Sequence, residues 1–261
     1  MILAASGNHD VPGVVVGIGS EIPERPDPER FRQKYGIAGR FALYIGRIDQ
    51  NKGCKELFTF FLQALPALPK GLGLVLIGKE TLPVPQHPRI RHLGFLDDQD
   101  KFDALAAADL LLMPSYYESL SMVALEAWAL GKPVLANGRC EVLRGQCIRS
   151  RAGLYYENQA EFVETLRAIA DGRALNAALG ANGRTFFRQH YAWSVIEQKY
   201  LQMLARLSAD NRSGRMTARM EPEPGWLARR RRSLRAAKDV LAELPAGPVI
   251  AADEAARAVG E

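Results

Sequence analysis

The sequence predicts an α/β protein built on a doubly wound parallel sheet. Short apolar runs and stretches with helical spacing alternate along most of the 261 residues, and glycine-containing loops join them, which is typical of βαβ units. The apolar runs are continuous rather than alternating, as strands require when helices cover both faces of a sheet. In such a sheet, ligands bind outside the carboxyl ends of the strands.

The first part of the chain precedes the alternating pattern. Residues 1–12 are interpreted as a linker or remnant, and a short β-branched run over 14–19 ends in glycine. A proline-rich stretch over 21–29 indicates a loop that leads into a short helix. The elements predicted next are strands over 40–46, 71–78 and 89–95 and a helix over 54–65.

The alternation continues through the second half of the chain. A helix predicted over 97–108 has an acidic first turn, which suits the helix dipole. Pro114 stops the strand that follows, and Gly131 is a suitable C-cap for the next helix. The remaining predicted elements are strands over 109–114, 132–137 and 152–157 and helices over 120–130, 159–171, 174–190 and 193–207.

The positive charge is concentrated near the end of the chain. Residues 211–235 contain eight arginines, two glutamates and no lysine or aspartate, so this segment carries +6, whereas the whole chain carries +5. From about residue 209 the alternating pattern fails and breakers become frequent. We therefore predict one α/β domain over 13–208, followed by a basic, partly helical appendage over 209–261.

Composition and motifs argue against several classes of protein. No apolar run approaches about 18 residues, so no transmembrane helix is predicted, and the N-terminus lacks the regions of a secretion signal. The three cysteines, Cys54, Cys140 and Cys147, give neither a disulfide framework nor zinc-ligand spacing. The three cysteines are better explained as buried thiols in a reducing compartment than as disulfides or zinc ligands. We expect a cytoplasmic protein without a metal site.

The loop after the strand predicted over 40–46 carries two cations, within the segment YIGRIDQNKG. It matches neither the GxGxxG dinucleotide loop nor the GxxxxGK[ST] phosphate loop. Arg47 and Lys52 nevertheless follow the carboxyl end of a strand and precede a helix N-terminus. Positive side chains beside helix amides favour a pyrophosphate. Two solvated charges in a surface loop are an equal alternative at this point.

The segment MPSYYESLSMVALE places two glutamates eight residues apart around the start of a helix. Ser119 or Ser121 is suited to cap this helix, and the amides from Ser119 to Met122 would face outward, open to an anion. Because eight helical residues rise about 12 Å, Glu118 and Glu126 are too far apart for a catalytic carboxylate pair. The spacing fits two separate carboxylates better, each accepting hydrogen bonds from a pair of vicinal hydroxyls. The apolar neighbours of Glu126 argue against a simple exposed glutamate.

Four motifs in this order resemble the donor-binding half of a GT-B glycosyltransferase of family 4. The motifs are YIGRIDQNKG, LVLIG, RHLGF and MPSYYESLSMVALEAWALGKPVLAN, and the run NGRCEVLRGQCIRSRAGLYY also resembles a branch of these enzymes. The resemblance covers roughly residues 13–205. That family has an arginine and a lysine after its first strand, which Arg47 and Lys52 match. It also has a Glu-x7-Glu motif after its fourth strand, which Glu118 and Glu126 match.

The resemblance implies a role for each matched position. Arg47 and Lys52 would hold the diphosphate of a UDP- or GDP-linked sugar and stabilise the leaving charge without a metal ion. Glu118 would contact hydroxyls of the transferred sugar, and Glu126 would bind the ribose diol. The implied backbone contacts are Leu93, Gly94 and Phe95 at the nucleobase and Ser119, Leu120, Ser121 and Met122 at the phosphates. Ser121 departs from the family, which more often has glycine there.

The resemblance also implies a second, N-terminal domain that binds the acceptor, and about 12 residues precede the matched region here. We expect the donor domain of a retaining, metal-independent glycosyltransferase, with the acceptor domain on a separate chain or in a longer reading frame. A non-catalytic nucleotide-sugar-binding module and a vestigial fragment are the alternatives. A nucleotide-sugar epimerase fits less well, because it also needs two domains.

The arginine run near the end has three interpretations. The run could be solvated surface charge, or it could contact anionic lipid at the inner membrane face, or it could contact nucleic acid. It consists of Arg229, Arg230, Arg231 and Arg232. Solvated charge is the simplest interpretation, and lipid contact would suit a lipid-linked acceptor. Nucleic acid is disfavoured because Trp226 is the one aromatic residue in this segment.

Overall fold

The computed structural model describes residues 14–213 apart from Glu24, together with Asp239, Ala242 and Glu243. The predicted linker over 1–12 and the arginine run lie outside these residues, as does the appendage beyond residue 213 apart from those three isolated positions. Within the described part, no helix is long and apolar enough to cross a membrane.

In the described part of the chain, six strands form one parallel sheet in the order β3-β2-β1-β4-β5-β6. The strands are β1 Phe41–Ile45, β2 Gly73–Ile77, β3 Ile90–His92, β4 Leu110–Met113, β5 Val134–Asn137 and β6 Gly153–Tyr156. The predicted doubly wound sheet is confirmed. Its order reverses between β1 and β4, which are hydrogen-bonded neighbours, and this reversal is the switch point at which ligands bind in such folds.

Helices cover both faces of the sheet. They are α1 Pro28–Tyr35, α2 Cys54–Ala64, α3 Asp98–Ala107, α4 Met122–Ala129, α5 Glu141–Ser150, α6 Gln159–Asp171, α7 Arg173–His190 and α8 Trp193–Arg212. Successive residues of β1 enter different cores: Phe41 and Leu43 pack with α1, α3 and α4, whereas Ala42 and Tyr44 pack with α2 and α6. The continuous apolar runs therefore reflect strands buried on both sides.

The segment over 14–19 forms no strand. It lies against the start of α8, where the Lys199 ammonium donates to the Val16 carbonyl at 3.4 Å. A Cβ at Gly19 would come within 2.6 Å of the Trp193 ring, so glycine allows this close approach.

Three other elements differ from the sequence prediction. The strand predicted over 89–95 ends at His92, because Gly94 turns the chain away with a φ of +74°. The sequence pattern does not predict α5, whose buried face includes Gln146 and Ser150 and so lacks a clear apolar stripe. Helix α8 continues to Arg212, past residue 207, because no glycine or proline interrupts it before that point.

Three glycines join the ends of β1, β2 and β3. The Gly78 amide donates to the Gly94 carbonyl at 2.7 Å, and the Gly46 amide donates to the Ile77 carbonyl at 2.9 Å. Gly78 has a φ of +139°, and a Cβ there would lie 2.0 Å from the Gly46 carbonyl oxygen. Only glycine fits this junction. The junction holds together the carboxyl ends of the three strands, and the candidate site lies at this edge of the sheet.

We expect Gly78→Ala to lower the free energy of unfolding by about 2–5 kcal/mol, because backbone strain and a direct clash combine. Gly71→Ala is the matched control, since Gly71 also has a positive φ, +90°, but no atom of the described residues lies within 4 Å of an added Cβ. The control should cost about 1–2 kcal/mol. Urea denaturation of both variants measures the difference, and equal losses would contradict the crowded junction.

Candidate functional site

The candidate site lies at the carboxyl edge of the sheet, on both sides of the switch point. The loop after β1 carries Arg47 and Lys52, and the loop after β4 carries Glu118. The strand order makes these loops neighbours although the two positively charged residues precede Glu118 by more than sixty positions.

Lys52 and Glu118 form an ion pair. The Lys52 ammonium donates to Glu118 Oε1 at 2.7 Å, and the side chains are 33% and 13% exposed. The structure therefore brings together two of the residues that the sequence predicts to act on a nucleotide sugar. Each is accessible from solvent, and each holds the other in place.

Asp49, which sequence reasoning missed, shapes the loop after β1. Its carboxylate accepts a hydrogen bond from the Lys52 amide at 2.8 Å and a second one from Arg47 Nε. Burial alone would raise the pKa of Asp49, but these hydrogen bonds and the Arg47 charge hold that pKa below its usual value. The Tyr44 hydroxyl in β1 donates to the Arg47 carbonyl at 2.7 Å, and this hydrogen bond ties the loop to the strand that precedes it.

The loop after β4 turns into α4 through a serine cap. Ser121 is the N-cap, and its hydroxyl oxygen accepts from the Ala124 amide at 3.2 Å. Of the two predicted capping residues, the structure selects Ser121, while Ser119 is exposed. Glu118 lies in the loop, so the helical rise assumed between the two glutamates applies only from Met122 to Glu126.

Glu126 projects from α4 into a buried position. Its Oε1 accepts from the Lys101 ammonium at 3.2 Å and from the Ser20 hydroxyl at 3.4 Å. Its Oε2 has no hydrogen-bond partner among the described residues. Burial raises the pKa of Glu126, and Lys101 opposes this rise without cancelling it. Sequence reasoning missed Lys101, whose signal is a lysine closing the acidic first turn of α3.

The predicted nucleobase contacts lie beyond the end of β3. The Leu93 amide donates to the Leu76 carbonyl at 3.0 Å, and the Gly94 carbonyl accepts from Gly78, so these two groups are used within the sheet edge. The Phe95 ring is 84% exposed. The structure therefore places an exposed aromatic face at this corner, and the backbone contact with a nucleobase stays a prediction.

A cleft of about 620 Å³ opens beside Glu118. Its walls come from the loops after β4 and β5 and from the start of α5, and they are Tyr116, Tyr117, Glu118, Ser119, Arg139, Cys140, Glu141 and Val142. The larger cleft, of about 820 Å³, lies at the opposite edge of the sheet. Its Arg32 is held by the carbonyls of Ile37, Gly39 and Ala107, which indicates a structural role.

The described residues contain no group of three histidine, cysteine, aspartate or glutamate side chains that could hold a metal ion. Cys54, Cys140 and Cys147 are buried free thiols. Burial raises the pKa of Cys147 to about 12, so this thiol is not poised to react as a thiolate.

A model of the family "Glycosyl transferases group 1" matches residues 39–171, a stretch that contains all four predicted side-chain ligands. The chain belongs to this family. A curated relative, 27% identical over 196 residues, is a GDP-mannose-dependent monoacylated alpha-(1-6)-phosphatidylinositol monomannoside mannosyltransferase of Corynebacterium glutamicum. The match covers 68% of this chain and 51% of the relative. The chain spans about half the length of the curated relatives that it matches first.

Solved structures of glycosyltransferases share the fold. HepE of Anabaena, solved in complex with UDP, is 20% identical with a TM-score of 0.60, over 72% of this chain and 56% of HepE. The C-terminal domain of a glycosyl transferase group 1 family protein from Francisella tularensis is 19% identical, with a TM-score of 0.53. That match covers 69% of this chain and 99% of the domain. The resemblance to the C-terminal half of a GT-B glycosyltransferase is thus confirmed in fold.

We expect Glu126→Gln to leave the protein at least as stable as the wild type at pH 8. The pKa of this carboxyl is raised in the folded state above its ordinary value of 4.5. A raised pKa stabilises the fold at low pH, and this contribution is lost as the pH rises through the folded pKa. The wild type should therefore lose stability relative to Glu126→Gln between pH 5 and pH 8.

Thermal unfolding of both proteins at the two pH values measures this shift. Glu164→Gln, at an exposed glutamate paired with Arg167, is the control and should show no such trend. A melting temperature of Glu126→Gln several degrees below that of the wild type at pH 8 would show that the charged carboxylate stabilises the fold.

Proposed function

We propose that this domain binds a nucleoside-diphosphate sugar and supplies the donor half of a glycosyltransferase. The observation that carries the proposal is the contact between Lys52 and Glu118 at 2.7 Å, at the switch point of a chain that belongs to the glycosyl transferases group 1 family. A cation for phosphate and a carboxylate for sugar hydroxyls lie side by side, where the two parts of a nucleotide sugar are joined.

The diphosphate would lie between the loops after β1 and β4. Arg47 and Lys52 supply positive charge, and the amides between Ser119 and Met122 lie next to Glu118 at the start of α4. The helix dipole adds to the attraction for an anion. As the bond to the sugar breaks, negative charge grows on the departing diphosphate, and fixed cations stabilise that charge.

The nucleoside would extend from the diphosphate toward Glu126 and Phe95. Glu126 Oε2, which has no partner among the described residues, is a hydrogen-bond acceptor that a ribose diol would satisfy, which would offset the cost of burying the carboxylate. Phe95 offers an exposed ring for a nucleobase beyond the end of β3. UDP in HepE and GDP-mannose in the name of the mannosyltransferase relative make UDP and GDP the first nucleotides to test.

The reaction that we propose for the whole enzyme is retaining, metal-independent glycosyl transfer. The donor half contributes the leaving-group stabilisation by Arg47 and Lys52 and the orientation of the sugar by Glu118. The acceptor half is a separate domain, and the chain's match to about half of its curated relatives supports this division of labour.

Calorimetric titration of the full chain with UDP, GDP and ADP tests the proposal. We expect one diphosphate to bind with micromolar to millimolar affinity and Lys52→Ala to weaken it by about 1.5–3 kcal/mol, because a charge-assisted hydrogen bond is lost. Lys55→Ala, at an exposed lysine in the first turn of α2, should bind like the wild type. Absence of binding by all three nucleotides, or unfolding of Lys52→Ala, would contradict the assignment.

Glu118→Gln should separate the sugar from the diphosphate. Glu118 neutralises Lys52 in the free protein, so its loss frees Lys52, and bare UDP or GDP should bind as tightly as before or more tightly. The extra affinity of the sugar conjugate over the bare diphosphate should disappear. Titrations with UDP-glucose and GDP-mannose measure this increment, with Glu157→Gln as the control. Equal weakening of the bare diphosphate would show that Glu118 does not act on the sugar.

A further inference from the structure

Three loops at the carboxyl edge of the sheet converge on Arg139, which follows β5. The Arg139 guanidinium donates through Nη2 to Glu56 in the first turn of α2. Its central carbon lies 5.1 Å from the centre of the Tyr116 ring, in the loop after β4. One side chain therefore connects the loops after β1, β4 and β5.

Asn137 holds Arg139 at this junction. Asn137 is fully buried, and its Oδ1 accepts from the Arg139 amide at 3.1 Å and from Arg139 Nε at 3.4 Å. The other end of the same amide, Nδ2, donates to the Pro114 carbonyl at 3.0 Å. The last residue of β5 thus aims the guanidinium while it also fixes the start of the loop that carries Glu118.

The loop after β1 is pressed against the same point. A Cβ at Gly53 would lie 2.1 Å from the Pro114 carbonyl oxygen, so glycine is needed for the two loops to touch. Arg139 contacts both Glu56 and Tyr116, and burial together with the nearby Glu56 carboxylate raises the pKa of Tyr116. Glu56, Arg139 and Tyr116 therefore form one connected cluster, named here the Arg139 cluster.

The Arg139 cluster is anchored next to both members of the Lys52–Glu118 pair. Lys52 lies four residues before Glu56, and Glu118 lies two residues after Tyr116. A displacement of either loop at the cluster would change the distance between the ammonium and the carboxylate. The geometry points to Arg139 as a positioning residue that holds Lys52 and Glu118 in register through Glu56 and Tyr116. Its effect on ligand binding rests on the proposed function.

A role in bulk stability explains the arrangement less well. Arg139 is 42% exposed at its side chain, and ion pairs with such exposure contribute little to unfolding free energies. The buried Asn137, by contrast, uses both ends of its amide to direct this exposed guanidinium and the neighbouring loop. These buried hydrogen bonds are better explained by precise positioning of the two loops than by a contribution to the stability of the fold.

The first test needs no ligand. A double-mutant cycle of Lys52→Ala and Glu118→Gln, read by urea denaturation, measures the coupling between the two residues. We expect a measurable coupling in the wild-type background and its loss in the Arg139→Ala background. Glu56→Gln is a second background that should act in the same way, should Arg139→Ala fail to fold. Coupling that persists unchanged in both backgrounds overturns the proposal.

The second test uses UDP with UDP-glucose and GDP with GDP-mannose. In Arg139→Ala, the affinity ratio of sugar conjugate to bare diphosphate should fall several-fold, and adding Arg139→Ala to Glu118→Gln, which already removes the sugar increment, should lower the ratio no further. Arg139→Lys should restore part of the ratio, because an ammonium reaches Glu56 without the fork toward Asn137. Arg144→Ala, which breaks an exposed pair between α5 and Glu157 in the loop after β6, is the control.

The outcomes distinguish the two proposals. A wild-type protein that binds neither nucleotide contradicts the proposed function, while the ligand-free cycle still decides the role of Arg139. A wild-type protein that binds, together with an unchanged ratio in Arg139→Ala, contradicts the positioning role alone.

Discussion

The pairing of β1 with β4 is the constraint on which the candidate site depends. These two strands are adjacent in the sheet but not in sequence, and the chain continues from them toward opposite edges of the sheet, so the helices that follow them leave in opposite directions. A crevice between the two loops is the geometric result. Any residue that follows either strand is brought to this crevice, whatever its distance in sequence, and Lys52 and Glu118 meet for this reason.

The charges at the crevice are paired before any ligand arrives. Lys52 faces Glu118, Arg47 faces Asp49, and each pair includes one carboxylate that is mostly buried. Internal pairing lets the loops carry several cations without mutual repulsion. It also means that a diphosphate bound as we propose would exchange one partner of Lys52 for another, so the net gain in binding would be smaller than an isolated ammonium would provide.

The sequence allows prediction of the strands, whereas the roles of the four principal side chains stay predictions. Strands buried on both faces appear as continuous apolar runs, and the cations and glutamates follow such runs directly. Helix α5 escapes prediction because its buried face includes Gln146, and the early end of β3 depends on the left-handed turn at Gly94. Lys101 and Arg139 escape for a different reason, since their partners lie 25 and 83 residues away and only the folded chain makes them neighbours.

The two glutamates of the Glu-x7-Glu motif are held in opposite ways, and this difference follows from their positions. Glu118 lies in a loop at the rim, where the Lys52 ammonium pairs with its charge. Glu126 lies within a helix against the core, where Lys101 and Ser20 satisfy one oxygen and the described residues leave the other unsatisfied. A buried acceptor without a partner is a cost to the fold. A glutamine would carry less of that cost, so a glutamate at this position is better explained by an external donor of hydrogen bonds, and a ribose diol has that chemistry.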